Sequence, residues 1–279
     1  MATSSYHKSP EKFVRIGPRA YFSSVKWVES LGLWAIRVTE GIGAMTLMSL
    51  QSLLWLFRPP FRWRNFLQAL EYVGVGSLGI VTLTGAFTGM VMAIQSAYAF
   101  KMFHAESLVG TTVALALSRE LGPVLTGLMV TGRVGSSIAT EIGTMNVTEQ
   151  IDALRTMAVN PIQYLVTPRV LACIIMVPIL CQLCTLVGVG GAYLVAVKGL
   201  GLDQGVFFDR IVTVVQPWDV WSGIIKAAVF GLVIGTVSCF KGYQAEGGAR
   251  GVGVATTQAV VISSVAILVT DYFLTVLMF

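Results

Sequence analysis

The chain has 279 residues, of which 55% are hydrophobic and 12% charged, with a mean hydropathy of +0.76 and a formal net charge of +5. That balance excludes an ordinary soluble domain and defines an all-α integral membrane protein whose long apolar stretches are helices. The charge is uneven, because the first 64 residues hold nine of the 19 Lys and Arg and three of the 14 acids, leaving +6 there and −1 on the remainder.

Residues 1–72 read as a basic cytoplasmic N-terminus with interfacial or elbow helices. The basic stretch from Lys8 to Lys26 is followed by a hydrophobic run soon broken by charge, with no small-residue cleavage site, so it does not read as a signal peptide. Ile42 to Phe57 is apolar for 16 residues, preceded by Arg37 and Glu40 and stopped by Arg58-Pro59-Pro60. That is short for a crossing and predicts a helix lying in one leaflet. The positive-inside rule puts this basic part in the cytoplasm.

Residues 73–279 read as a five-span domain. The first span, Val73 to Phe100, is 28 residues without a charge and opens on Gly74, Gly76 and Gly79. These match a dinucleotide-binding glycine pattern, but no soluble βαβ unit surrounds them. With the Gly85/Gly89 and Gly231/Gly235 pairs they read as close-packing faces between helices. Met92, Gln95 and Ala99 fall on one stripe near the end of this span, where a lipid-sized pocket is expected only if the stripe faces a polar site.

A second span, from about Leu108 to Gly132, carries Arg119-Glu120 near its middle, followed by Gly122-Pro123. A lipid-facing charge costs about 2.5 to 3.5 kcal/mol on insertion scales, so both side chains should face protein or a wet cavity. Pro123 also leaves the Arg119 carbonyl, four residues earlier, without its helical amide. A transport site and a static bracing pair both fit these residues.

Next comes a 13-residue amphipathic segment, Val147 to Val159. Asn146 and Glu149 have capping-box spacing, and Asn160-Pro161 reads as a stop. Ile151, Leu154 and Ala158 form one stripe, opposite Glu149, Asp152 and Arg155. Such a helix between spans is suited to receive force from a soluble partner, with Leu154 on the docking stripe.

The third span, Val170 to Val197, is again 28 uncharged residues. Cys173, Cys181, Cys184 and Cys239 all fall within spans and read as small apolar side chains, with no disulfide framework or metal site. A loop from Lys198 to Asp219 carries Asp203, Asp209 and Asp219 against Lys198 and Arg210. Lys226 lies near one end of the fourth span, Val220 to Phe240, where a lysine is expected to snorkel to the surface. The fifth span, Gly251 to Thr270, precedes Asp271. Lys226 and Asp271 together supply charges at a depth that could answer Arg119 and Glu120. From a cytoplasmic N-terminus, five crossings put the Val147 segment and the Lys241 to Arg250 loop inside and the C-terminus outside.

No lysine follows a glycine, so a phosphate-binding GxxxxGK[ST] loop cannot occur, and any ATP that drives this protein is bound by another chain. The histidines, His7 and His104, lie in the tail and a short loop, and no nucleophile has a base nearby. An ion-coupled secondary transporter using Glu120 and Asp271 as proton carriers leaves the amphipathic segment without a role. A scaffold needs no charges within spans.

Several runs resemble the MlaE-type (YrbE-type) permeases of Mla and Mce lipid transporters. They are Leu117-Ser-Arg-Glu-Leu-Gly-Pro-Val124, Gly132-Arg133-Val-Gly135, Glu141 through Ala158, Ile225 to Gly231, Gly242-Tyr243, Ala255-Thr-Thr257 and Asp271 to Phe279. The resemblance covers roughly Leu31 to Phe279. It implies the permease subunit of an ABC transporter in the bacterial inner membrane, with the C-terminus periplasmic. It also implies a homodimer, a cytoplasmic ABC ATPase carrying ATP-Mg, a membrane-anchored MCE-domain protein and a lipid cargo. No cofactor is expected on this chain, and no nucleic-acid partner. The interfacial helix and five spans agree with the count above. Glu141 to Met157 matches the family's ATPase-coupling helix, so Glu141, Glu149, Gln150, Asp152, Leu154, Arg155 and Met157 are the expected coupling residues. Arg119, Glu120, Lys226, Asp271 and the Met92, Gln95, Ala99 stripe are the expected lipid site.

Overall fold

A computed structural model describes residues 19–55 and 63–279, all helical or in connections, with no strand among them. The basic tail before Arg19 and the Arg58-Pro59-Pro60 stop lie outside the described residues. The chain divides into two compact units at Ala44/Met45. Helix α1 runs Arg19–Trp55, 37 residues, well beyond the 16 expected. With no proline between its ends, Arg37 and Glu40 change its polarity without breaking it. Within the second unit, Met48 and Ser52 of α1 are buried while Leu47, Leu50 and Leu54 remain exposed, giving a one-sided helix.

Five helical stretches are long and apolar enough to cross a membrane: Trp63–Lys101, Glu106–Val147, Ile162–Gly199, Pro217–Tyr243 and Gly248–Met278. The number agrees with the sequence reading, but the lengths do not. At 1.5 Å per residue the 42-residue second stretch is about 63 Å long, twice a hydrocarbon core. Charge marks where a helix leaves lipid, yet backbone hydrogen bonding continues past that point. The first stretch joins α2 (Trp63–Gly74) to α3 (Leu78–Lys101) through one 3₁₀ turn at Val75–Ser77. The second comprises α4 (Val109–Ala116), α5 (Gly122–Val130) and α6 (Ser136–Val147), separated by π turns at Leu117–Leu121 and Thr131–Gly135.

After a short helix α7 (Gln150–Thr156), the third span holds α8 (Thr167–Tyr193). Helix α9 (Gln204–Val214) lies at the opposite end of the array, and α10 (Pro217–Tyr243) and α11 (Gly248–Met278) complete it. Helix α8 is central, with α3 on one side and α10 on another, and α6 packs against α10 and α11. Glycine sets these contacts. A Cβ on Gly85 would lie 2.6 Å from the Cys184 carbonyl oxygen of α8, and one on Gly89 would strike the Gly188 carbonyl. Gly231 and Gly235 of α10 meet α8 at Cys173 and Val170 in the same way, so both glycine pairs are the packing faces expected of them.

The segment after α6 departs from expectation. Asn146 and Val147 still belong to α6, and the Asn146 amide donates to the Ala245 carbonyl at 3.1 Å instead of capping a new helix. Glu149 takes a left-handed conformation (φ 59°) that turns the chain, so no capping box forms. The new helix is seven residues, not 13. It ends before Ala158, also left-handed at φ 56°, while the Asn160 side chain accepts from the Ile162 amide at 3.0 Å and so caps the first turn of the next stretch. The Asn160-Pro161 pair is thus a start signal for the third span.

Candidate functional site

The π turn at Leu117–Leu121 places Arg119 and Glu120 about 20 Å from the α9 end of the second stretch and about 11 Å from its middle, on the α9 side of it. Pro123 supplies no amide to the Arg119 carbonyl, and Lys226 of α10 fills the gap, donating to that oxygen at 3.1 Å. The same ammonium donates to Glu120 Oε2 at 2.7 Å and to Thr275 Oγ1 at 2.8 Å. Those three bonds use all its protons. Asp271 Oδ1, 3.3 Å away, is therefore a charge partner without a hydrogen bond, and it has no other hydrogen-bond partner among the described residues.

Lys226 is 0% exposed, so it does not snorkel. The reason is the company it keeps: snorkelling would forfeit two carboxylates and the Arg119 carbonyl, whose i+4 residue is a proline. Thr275 closes the group from α11, with its hydroxyl also 2.8 Å from the Asp271 carbonyl and 3.2 Å from Glu120 Oε2.

Arg119 turns the other way, donating from Nε to Asp219 Oδ1 at 2.8 Å, with its NH2 at 2.7 Å and its guanidinium 4.5 Å from the Phe279 ring centre. Asp219 is only 2% exposed and also serves its own helix, since its Oδ2 accepts from the Gln216 amide at 2.8 Å and completes the capping box that starts α10. One carboxylate thus fixes the start of α10 and holds Arg119. Two cations and three carboxylates make the cluster formally −1. Arg119 and Glu120 are 38% and 37% exposed, so they are its accessible edge and Lys226 its closed centre.

Asp219→Ala removes cap and pair together and should cost about 2 to 4 kcal/mol, a cap contributing about 1 and a half-exposed Arg partner less than a fully buried one. Asp219→Asn keeps the cap acceptor and should cost about half as much. Thermal unfolding in detergent separates them, and equal losses for both would mean the cap contributes nothing.

The structure therefore brings Arg119, Glu120, Lys226 and Asp271 together and adds Asp219 and Thr275, which the sequence reading left unused. Met92, Gln95 and Ala99 are not in this cluster. Met92 packs against the apolar group around Ala93, Val113 and Leu117, while Gln95 and Ala99 are exposed on α3.

At the α7 end, Ile151 is 1% exposed and the partly buried Leu154 packs against the chain's own core, while Ala158 of the same apolar stripe is exposed. Arg155 donates to Asp152 at 2.9 Å and to the Tyr243 hydroxyl at 3.2 Å, tying α7 to the end of α10. Glu141 lies on α6, not α7, and pairs with Arg169 at 2.6 Å. Of the expected coupling residues, Glu141, Glu149, Gln150, Asp152, Arg155 and Met157 are exposed, the last at 64%.

Five long apolar helices, close-packed through glycine, with an ion network joining the second, fourth and fifth, define a multi-pass membrane permease built to hold charge inside the bundle. The chain belongs to the MlaE permease family, whose model, described as Permease MlaE, matches residues 66–277. It is a transport subunit and not an enzyme. A probable ABC transporter permease protein of Rickettsia bellii is 46% identical over 250 residues, covering 90% of this chain and 96% of that protein. The chloroplastic protein TRIGALACTOSYLDIACYLGLYCEROL 1 of Arabidopsis thaliana is 40% identical over 249 residues, covering 89% and 69%. The intermembrane phospholipid transport system permease protein MlaE of Haemophilus influenzae is 36% identical over 259 residues, covering 91% and 98%.

Proposed function

We propose that this chain is the membrane subunit of an ATP-driven ABC transporter that moves phospholipids or related lipids between inner and outer membranes. In this reading it lies in the bacterial inner membrane with its N-terminus and α7 cytoplasmic and its C-terminus periplasmic. It works as a homodimer with a cytoplasmic ABC ATPase, which carries the ATP-Mg, and with a membrane-anchored MCE-domain protein.

The observation that carries the proposal is the Lys226 cluster, because it joins three spans through groups that cannot face lipid and leaves Arg119 and Glu120 accessible. A head group meets that accessible edge, and acyl chains lie against apolar faces such as the Met92, Gln95, Ala99 stripe. Exposed apolar residues on α3 (Leu83, Phe87, Val91) and α11 (Val261, Val265, Leu268) offer the surface on which a second copy would bring that stripe to the cluster.

Force enters at α7. The Arg155 tie to Tyr243 connects it to α10, which carries Lys226 about 26 Å further along one continuous helix, and the Asn146 tie to Ala245 holds the end of α6 to the turn that follows α10. ATPase closure that shifts α10 against the second stretch exchanges partners around Lys226, changing the exposure of Glu120 and Arg119.

The test is reconstitution in proteoliposomes with a fluorescent phospholipid and the copurified ATPase. Transfer is expected only with both ATPase and ATP, is expected to survive collapse of the proton gradient, and the isolated chain should bind no nucleotide. Transfer by the chain alone, driven by a proton gradient, would replace this reading with a secondary transporter.

A further inference from the structure

The second π turn of the second stretch, Thr131–Gly135, carries another arginine within the apolar part of the array. Arg133 lies 14 residues from Arg119 on the same helical stretch, about 21 Å along the axis, level with Tyr72 and Ser77 where the first span's uncharged run begins. Its NH1 donates to the Tyr72 carbonyl at 3.2 Å and to Ser77 Oγ at 3.0 Å, and its guanidinium lies 5.4 Å from the Tyr72 ring centre. A Cβ on Gly76 would lie 2.1 Å from its NH2 and 2.6 Å from its Cζ, so the guanidinium rests against the glycine, which leaves room for it.

Among the described residues no carboxylate pairs with Arg133, and Nε and NH2 carry no hydrogen bond, leaving three of its five N–H groups unused. Bracing the 3₁₀ turn accounts for NH1 and leaves the rest of the fork and the unpaired charge without a purpose.

Beside this arginine opens a cavity of about 600 Å³, a size ordinary for a small-molecule site. Three helix faces wall it: Asn65, Gln68 and Tyr72 from α2, Ser137 and Glu141 from α6, and Arg169 at the start of α8. Tyr72 and Ser137 hydrogen-bond to each other through their hydroxyls at the edge of the cavity, and Arg133, which is not itself a lining residue, lies against the Tyr72 ring. Glu141 and Arg169 neutralise one another at 2.6 Å, so Arg133 with the charged lining residues leaves a formal +1.

We propose that this cavity and Arg133 form a second head-group station, in the leaflet nearer α7, that takes the phosphate of a phospholipid through the guanidinium N–H groups that carry no hydrogen bond. This rests on the lipid-transport reading above and adds a site to it. The polar cavity takes the glycerol and head group, Arg133 the phosphate oxygens, and the exposed apolar residues Leu67 and Val75 border the acyl chains. The two arginines then mark two stations on one helical stretch, each on a π turn, an irregularity that recurs at functional sites.

A photo-reactive amino acid at Gln68 of the full chain, in cells grown on radioactive phosphate, tests this, with a probe at lipid-facing Leu83 as the control. Illumination should give a phospholipid-mass adduct at position 68 that falls about tenfold in Arg133→Gln, the worth of a charge-assisted hydrogen bond, while the Leu83 adduct is unchanged. If Arg133→Gln does not accumulate, Arg133→Lys keeps the charge without the fork and should lower the adduct about threefold. An adduct indifferent to both variants would overturn the proposal. So would loss of the adduct on adding inorganic phosphate to isolated membranes, which would mark a free-anion site. If ATP-driven transfer occurs while labelling ignores Arg133, only this station falls. If labelling depends on Arg133 but no ATP-driven transfer occurs, the station stands and the transport reading falls.

Discussion

Lys226→Met should lower stability by about 3 kcal/mol, and adding Glu120→Gln to the same chain should restore part of that loss. The single change leaves two carboxylates, Glu120 and Asp271, around a space from which the one cation they share has gone, and it strips the Arg119 carbonyl of its donor. The cost sits at the low end of the range for broken buried pairs because Glu120 is 37% and Asp271 18% exposed, so water screens part of the repulsion. Glu120→Gln alone should cost less, about 1 to 2 kcal/mol, since Asp271 still balances Lys226 and the amide oxygen still accepts a hydrogen bond. Thermal unfolding of the two singles and the double in one detergent gives the coupling energy directly. A double variant as unstable as the sum of the singles would mean that the three groups are not one network.

Met157→Asp should weaken ATPase binding by about 10- to 100-fold while leaving the permease as stable as before. A methionine 64% exposed at the end of α7 has no role within the chain's own packing, and burying such a side chain under a partner contributes about 1.5 to 3 kcal/mol. Leu154→Asp should behave in the opposite way, destabilising the permease because that side chain packs on its own core. Copurification yield of the ATPase, beside the permease's own unfolding temperature, distinguishes them. Undiminished ATPase retention by a folded Met157→Asp chain would remove α7 as the docking element.

The contrast between these residues shows where sequence reasoning reaches. Amphipathic periodicity marks Ile151 and Leu154 as facing something apolar, but it cannot say whether that is the chain's own core or a partner. The capping-box spacing from Asn146 to Glu149 occurs inside a helix as readily as at its start, and only the left-handed turn at Glu149 decides the boundary. Three of the five spans were legible because charge-free runs of 20 to 28 residues have no other stable home, and the second and fourth were read across their internal charges. Span length was not, since helices continue past the charges that mark the lipid boundary. At the charged cluster, the need for partners around Arg119 and Glu120 follows from the cost of charge in lipid, and the orphaned carbonyl follows from Pro123. The identity of those partners spans 100 residues of sequence: Asp219 reads as a loop acid and Thr275 as an unremarked hydroxyl until the fold sets them beside Arg119 and Glu120. Arg133, within a family-like run, carries no signal of its own until Gly76 and Ser77 are seen around it.

In the proposed transport cycle the Lys226 cluster takes part in moving lipid and does not merely brace the helices. Glu120→Gln in proteoliposomes separates these two roles, with phospholipid transfer per folded complex and ATP hydrolysis followed in the same preparation. Folded complex and bound ATPase should persist while transfer falls and basal hydrolysis shifts, because the partner exchange around Lys226 no longer follows the stroke. Normal transfer by a folded Glu120→Gln complex, with unchanged hydrolysis, would contradict a transport role and leave this residue a packing role alone.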